Sequence, residues 1–433
     1  MSVLFATAHH IWGHRLAGAS ASMGPPAPFV VPPISRRQQL SFIPRGALES
    51  VWVCVGVAVV ALAVGIFAVL LPVRHGAWRR GRRRRWMVAA SGLTTVVLLL
   101  VSVAAGVNTW VGYVPTVQAL LHRVTGDEPP ALVGSVPRPR GHVGPGARHV
   151  TASLPPSAGG QPITHSQVVQ LALHAPSYGL PDAPAYVYLP AGYQPTGPRW
   201  PLLMLIGGAP GSADDWLTTG SADTVMDRVV QAHLVKPFVI VIPTTNPDFL
   251  TDDECLNTLK GPQVESYLVD FVMPAVEHRL NVALDRHLHA IAGFSAGADC
   301  ALNVGLHHLG MFSAIATIEA EGRPGLTAEH FLLGDRADLV TRNSPRDYIP
   351  TMTFSAPVVV YLNAAGPKGV ANSDLLQTEL QARGVYVYRH DELIYGHNWR
   401  DARADLPWLL DFVSAAFNAP PPAMSAAARP PSI

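Results

Sequence analysis

The sequence predicts an α/β protein, a largely parallel sheet flanked by helices, preceded by two transmembrane helices. Three observations carry this. Two uncharged runs of 21 residues flank an arginine-rich segment, strand-length apolar runs alternate with helical segments over 257 residues, and a Gly-x-Ser-x-Gly motif joins one such strand to a helix.

The two apolar runs are Val51–Leu71 and Met87–Val107 (51–71 and 87–107, within a 50–110 membrane unit). At 1.5 Å per residue each makes a helix of roughly 30 Å, the thickness of a bilayer core. Trp110 and Tyr113 follow where an interfacial aromatic belt sits. Between the runs lie seven arginines, Arg74 to Arg85, so the positive-inside rule makes this loop cytoplasmic and turns both termini outward. Composition agrees: 48% of the 433 residues are hydrophobic and 14% charged, too few charges for an ordinary soluble surface. The net charge of +1 conceals 15 Arg against 3 acids in residues 1–150, with 16 basic against 27 acidic residues thereafter. The arginines lie between apolar runs and not in a folded basic domain, which argues against nucleic acid as a partner. Three cysteines exclude a disulfide scaffold, and no spacing suggests a metal or cofactor.

Residues 1–49, rich in Pro, Ala and His, show no helical or strand period and read as a disordered extension. Residues 111–161 read as a linker, with seven Pro and six Gly between Glu128 and Gln161. The Pro/Ala segment 419–433 reads as a disordered tail. The folded domain is expected over 162–418. Its strands are Ala185–Leu189, Pro201–Ile206, Phe238–Ile242, His287–Gly293, Ala314–Ile318, Val358–Leu362 and Val385–Tyr388. Helices are expected at Ala222–His233, Val264–Leu280, Ala296–His307, Ser373–Ala382 and Ala404–Phe417.

Gly293-Phe294-Ser295-Ala296-Gly297 ends a β run and opens a helix, the context in which a serine is raised on a tight turn as a nucleophile. His397 follows the last expected strand and precedes the C-terminal helix, where a general base can reach that serine. Oxyanion donors are expected at the Ala296 N–H and in the loop Gly207–Gly211; Pro210 has no N–H, which leaves Ala209 or Gly208, with Ala209 favoured. Cys255 and Cys300 are both expected near the carboxyl edge of the sheet, and an outward-facing domain permits a disulfide between them.

The segments AYVYLPAGY, GGAPGSADDW, DDECLNT, GFSAGADCALN and GHNWRDARADLPWLLDFV, spread from Ala185 to Phe417, resemble the esterase D and mycolyltransferase-like branch of the α/β-hydrolase superfamily, especially its membrane-tethered actinobacterial members. The resemblance implies an α/β-hydrolase fold and Ser-His-acid catalysis of ester hydrolysis or acyl transfer, with the acyl-enzyme on Ser295 and His397 as base. In similar sequences the acid sits just past the penultimate strand, but here Asn363–Gly369 contains no carboxylate. Asp374 is the nearest substitute, Asp391 and Glu392 are others, and a Ser-His dyad is the remaining reading. The expectation is therefore a membrane-anchored, extracytoplasmic serine esterase or acyltransferase without cofactors, acting on an acyl ester such as a cell-envelope lipid or glycan. The alternative is a catalytically weak or inactive envelope protein of the same fold that binds glycan or lipid.

Overall fold

The computed structural model describes residues 29–44, 46–74, 82–125, 132–136, 162–419 and 422. Nine strands form one sheet: β1 (Leu132–Val136), β2 (Gln167–Ala172), β3 (Pro184–Leu189), β4 (Leu202–Ile206), β5 (Val239–Ile242), β6 (His289–Phe294), β7 (Ala314–Ile318), β8 (Val359–Ala364) and β9 (Tyr386–Asp391). Their order is β1-β2-β3-β5-β4-β6-β7-β8-β9; β3 runs antiparallel to both its neighbours and every other pair is parallel. A sheet covered on both faces needs apolar residues on both, and β4 shows it: Leu202, Met204 and Ile206 enter one core while Leu203 and Leu205 enter the other.

Helices Ala296–His307 and Gly366–Ala382 close the first face, and Ala222–Gln231 with Trp399–Asn418 close the second. Because β4, β6, β7 and β8 are parallel, the residues following them gather at one edge, where ligands of open α/β sheets bind. The register sharpens this: Phe294 pairs with Ile318, so the next residues, Ser295 and Glu319, leave neighbouring strands side by side.

Two helices, Val51–Arg74 and Arg82–Val111, pack against each other through small residues. Ser102 Oγ donates to Cys54 O at 3.0 Å, and a methyl added at Gly106 would meet Cys54 Sγ at 3.3 Å. Among the described residues one helix is long and apolar enough to cross a membrane, Val88–Val111, while the described apolar run of its partner, Val51–Phe67, is shorter. Of the expected pair of spans, only the second thus meets the length and apolarity of a membrane-crossing helix among the described residues. The arginine loop lies mostly outside the described residues.

Two segments expected to lack structure have it. Ser35 caps the helix Arg36–Phe42 with a reciprocal capping box to Gln38. Val31, Ile34 and Phe42 are buried in the second core, and Gln39 Nε2 donates to Ala404 O at 2.6 Å. Within 111–161, Val117–Thr125 is helical and β1 joins the sheet edge beside β2, a pair the sequence reading missed altogether. The expected linker over 137–161 and the tail beyond Pro422 lie outside the described residues.

Candidate active site

The turn after β6 holds Ser295 at φ 58°, ψ −127°, a conformation that a non-glycine residue adopts only when its surroundings impose it. The imposition is visible at the two motif glycines. A Cβ on Gly293 would lie 2.0 Å from Gly297 O, and one on Gly297 would lie 2.3 Å from Gly207 O, so only glycine lets strand, turn and helix approach this closely. Ser295 N donates to Ile318 O at 3.0 Å, fastening the turn to β7.

His397 is set by the C-terminal helix that follows it. Asn398 caps that helix, its Oδ1 accepting from Arg400 N at 2.9 Å and Asp401 N at 3.3 Å, which orients the preceding residue toward the sheet edge. The imidazole ring lies 5.5 Å from the Phe294 ring, and its Nε2 is 2.7 Å from Ser295 Oγ. Its Nδ1 is 2.8 Å from Glu319 Oε2. Burial lowers the His397 pKa, but the hydrogen bond and charge of Glu319, aided by Glu321 and Asp299, outweigh it and raise the net value.

Glu319 is the residue the sequence reading missed. It follows β7 directly, at φ 64°, with a side chain 2% exposed. The expected carboxylates are elsewhere. Asp374 pairs with Arg389 Nη1 at 3.2 Å and is 66% exposed; Asp391 pairs with the same arginine; Glu392 is buried against Arg36 and accepts from Gln39 Nε2 at 3.1 Å. The acid therefore leaves the strand beside β6, one strand earlier than expected. An acidic residue at the carboxyl end of the expected strand Ala314–Ile318 was the available signal.

Behind Glu319 stands Asp401, fully buried. Both its carboxyl oxygens and Glu319 Oε1 are buried without another hydrogen-bond partner among the described residues. Burial, then the adjacent Glu319 charge, drive the Asp401 pKa far above the carboxylate range. The raised pKa favours the protonated form of Asp401 beside Glu319. Asp299, on the helix after Ser295, accepts from Gly322 N at 2.6 Å and Glu321 N at 3.2 Å, anchoring the loop beyond Glu319; burial raises its pKa to about 7.

Gly208 and Ala209 stand over Ser295: a Cβ on Gly208 would be 3.2 Å from Ser295 Cβ, and Ala209 borders the cavity beside the hydroxyl. Ala296 opens the helix, where first-turn N–H groups have no helical acceptor. Cys255 and Cys300 form a disulfide with Cα atoms 5.2 Å apart, linking the loop after β5 to the helix that starts at Ala296. No group of three or more metal-binding side chains occurs among the described residues. The cavity in front of Ser295 has a volume of about 460 Å³ and includes Phe249, Phe294, His397 and Trp399 in its lining. This arrangement can pass a proton from a serine hydroxyl to an imidazole held by a buried carboxylate.

Residues 181–319 match the family model described as putative esterase. The chain is 27% identical over 172 residues to an uncharacterised protein of Corynebacterium glutamicum, covering 38% of this chain and 40% of that one. It is 28% identical over 142 residues to an endo-1,4-beta-xylanase/feruloyl esterase of Xylanibacter ruminicola, covering 31% of this chain and 19% of that one. The matches thus span less than half the length of these relatives. Among solved structures, a ferulic acid esterase superposes with a TM-score of 0.51 at 22% identity, covering 59% of this chain and 99% of that one, which shows the shared α/β-hydrolase fold.

Proposed function

We propose that this chain, a serine hydrolase with the α/β-hydrolase fold and an esterase segment, is a membrane-anchored, extracytoplasmic esterase or acyltransferase acting through an acyl-enzyme on Ser295. The observation that supports it most is the unbroken sequence of contacts from Ser295 Oγ to His397 Nε2, at 2.7 Å, and from His397 Nδ1 to Glu319 Oε2, at 2.8 Å. Ser295 Oγ attacks the acyl carbonyl as His397 Nε2 takes its proton. The oxyanion accepts from the N–H groups of Ala296 and Ala209, each worth about 3 kcal/mol in the barrier. The C–O bond to the alcohol then breaks and His397 returns the proton to that oxygen. Water, or a second hydroxyl, repeats the sequence on the acyl-enzyme and frees Ser295. Glu319, backed by the buried Asp401, fixes the tautomer with the proton on Nδ1 and stabilises the imidazolium.

The non-catalytic alternative was motivated by the empty position after β8, and Glu319 removes that motivation. The outward topology is supported by the seven arginines between the apolar runs and by a disulfide that an oxidising compartment would preserve. A fluorophosphonate probe should label Ser295 in the full-length protein, and Ser295→Ala should abolish both labelling and hydrolysis of p-nitrophenyl esters. Protease added to intact cells should remove the hydrolase domain. Absence of labelling, or protection of the domain until lysis, would overturn the catalytic and the topological half respectively.

A further inference from the structure

The wall of the Ser295 cavity is not made by the hydrolase domain alone. Ala104, Val107 and Val111, spaced three and four apart on one face of the apolar helix Arg82–Val111, border the same cavity as Ser295 and His397. That end of the helix is fastened where it stands. Thr109 O accepts from Arg400 Nη1 at 2.7 Å, and Tyr113 O, just past the helix, accepts from Thr219 Oγ1 at 2.9 Å. Asn108, the polar residue of this wall, is already committed: its amide donates to Leu48 O and Val114 O and accepts from Val114 N.

Away from the cavity the helix continues as bare apolar surface, with Leu93 66%, Leu100 65% and Val103 65% exposed. The cavity's apolar wall and this surface belong to one helix, so an aliphatic chain could leave the cavity along it without meeting a polar group. Phe249, which lines the same cavity, and its chain neighbour Leu250 are exposed, and so are Leu393 and Ile394 on the loop leading to His397. Bare apolar side chains on the cavity-lining helix and at Phe249 suit a site that faces lipid.

We infer that Ala104, Val107 and Val111 form the acyl-binding wall of the active site, and that its substrate is an ester of a fatty acyl chain entering from the bilayer along this helix. The inference rests on the reading of Ser295 as nucleophile and of Val88–Val111 as a span. The bonds made and broken are those already given; what is added is where the acyl chain lies and which residues select its length.

The test uses the full chain in phosphatidylcholine vesicles, with p-nitrophenyl acetate and p-nitrophenyl decanoate as paired substrates and a fluorophosphonate probe as a separate report on Ser295. Val107→Trp should lower the decanoate-to-acetate ratio of kcat/KM by roughly tenfold or more, because it fills the space the longer chain needs. Ala104→Trp, one turn earlier, should lower the same ratio. A ratio unchanged in both variants, or equal loss on both esters, in protein that still takes the probe would overturn the inference and leave the catalytic reading intact. Failure of the unmodified protein to take the probe would overturn the catalytic reading itself, and this inference with it.

Discussion

Glu319→Gln keeps the shape of the acid and removes its charge, and it is expected to lower kcat by about 10³- to 10⁴-fold, since an amide can hold His397 in the wrong tautomer. Asp374→Asn should leave kcat unchanged and stability within about 0.5 kcal/mol, since Asp374 itself is exposed and Arg389 keeps Asp391 as a partner. Steady-state kinetics with parallel denaturation curves separate the two. The raised His397 pKa has a signed consequence: the imidazole must be neutral to accept the serine proton, so activity falls on the acid side at a pH above that of an ordinary histidine. Glu319→Gln should move that limb to lower pH in whatever activity survives. Asp401 supplies a second pH signature. Its folded pKa lies far above its unfolded value, so the unfolded state binds fewer protons between the two, and this group makes stability fall as pH rises from about 4, by up to about 1.4 kcal/mol per unit. Asp401→Asn should make that decline shallower in urea titrations followed from pH 5 to pH 8. Ser295 and His397 were legible in the sequence because each sits at a strand-to-helix junction with characteristic neighbours. Glu319 was not, because its role comes from β7 lying beside β6, a spatial adjacency that chain order does not state.

The turn, the helix it opens and the loop after β5 stand or fall together. The Cys255–Cys300 disulfide closes a separation of 45 residues between that loop and that helix, and its loss should cost about 2–4 kcal/mol. Thermal melts with and without reductant measure this, and Cys255→Ser/Cys300→Ser should melt like the reduced protein. Elements with a strong local signature matched their expected bounds closely: Ala314–Ile318 and the helix Ala296–His307 coincide with the reading from sequence. The C-terminal helix begins at Trp399, five residues earlier than expected, since Asn398 caps it and Pro407 is accommodated within it. The short helix Arg36–Phe42 carried a readable Ser-x-x-Gln cap, but its stability derives from burying Phe42 and Gln39 on the distant C-terminal helix, which no local pattern reports. β1 and β2 escaped notice for a related reason: β1 is a five-residue edge strand broken by Gly134 and Ser135, and β2 a six-residue run interrupted by Gln170, so both take their order from the sheet they join.

At the scale of the whole chain, the segment after the apolar helix and the hydrolase domain share a buried polar junction. Asp215, 1% exposed, pairs with Arg123 and accepts from Tyr113 Oη at 3.0 Å, while His122 Nε2 lies 2.7 Å from Asp214. Arg123→Met strands the Asp215 charge and should destabilise the protein by about 3–5 kcal/mol, whereas adding Asp215→Asn should recover part of the loss; denaturation of both variants in detergent decides it. This junction starts at Tyr113, two residues past the helix end at Val111, so no slack chain separates the apolar helix from the catalytic edge. On the reading of that helix as a span, the enzyme has no leash. On that reading, and with a bilayer ester as substrate, it would patrol a single leaflet at fixed height, unable to reach an ester on a facing surface, and what it would sense is crowding within its own plane. Its rate should follow the mole fraction of substrate in the vesicle, falling as inert lipid is added at constant bulk substrate, a surface-dilution behaviour that a freely diffusing esterase lacks.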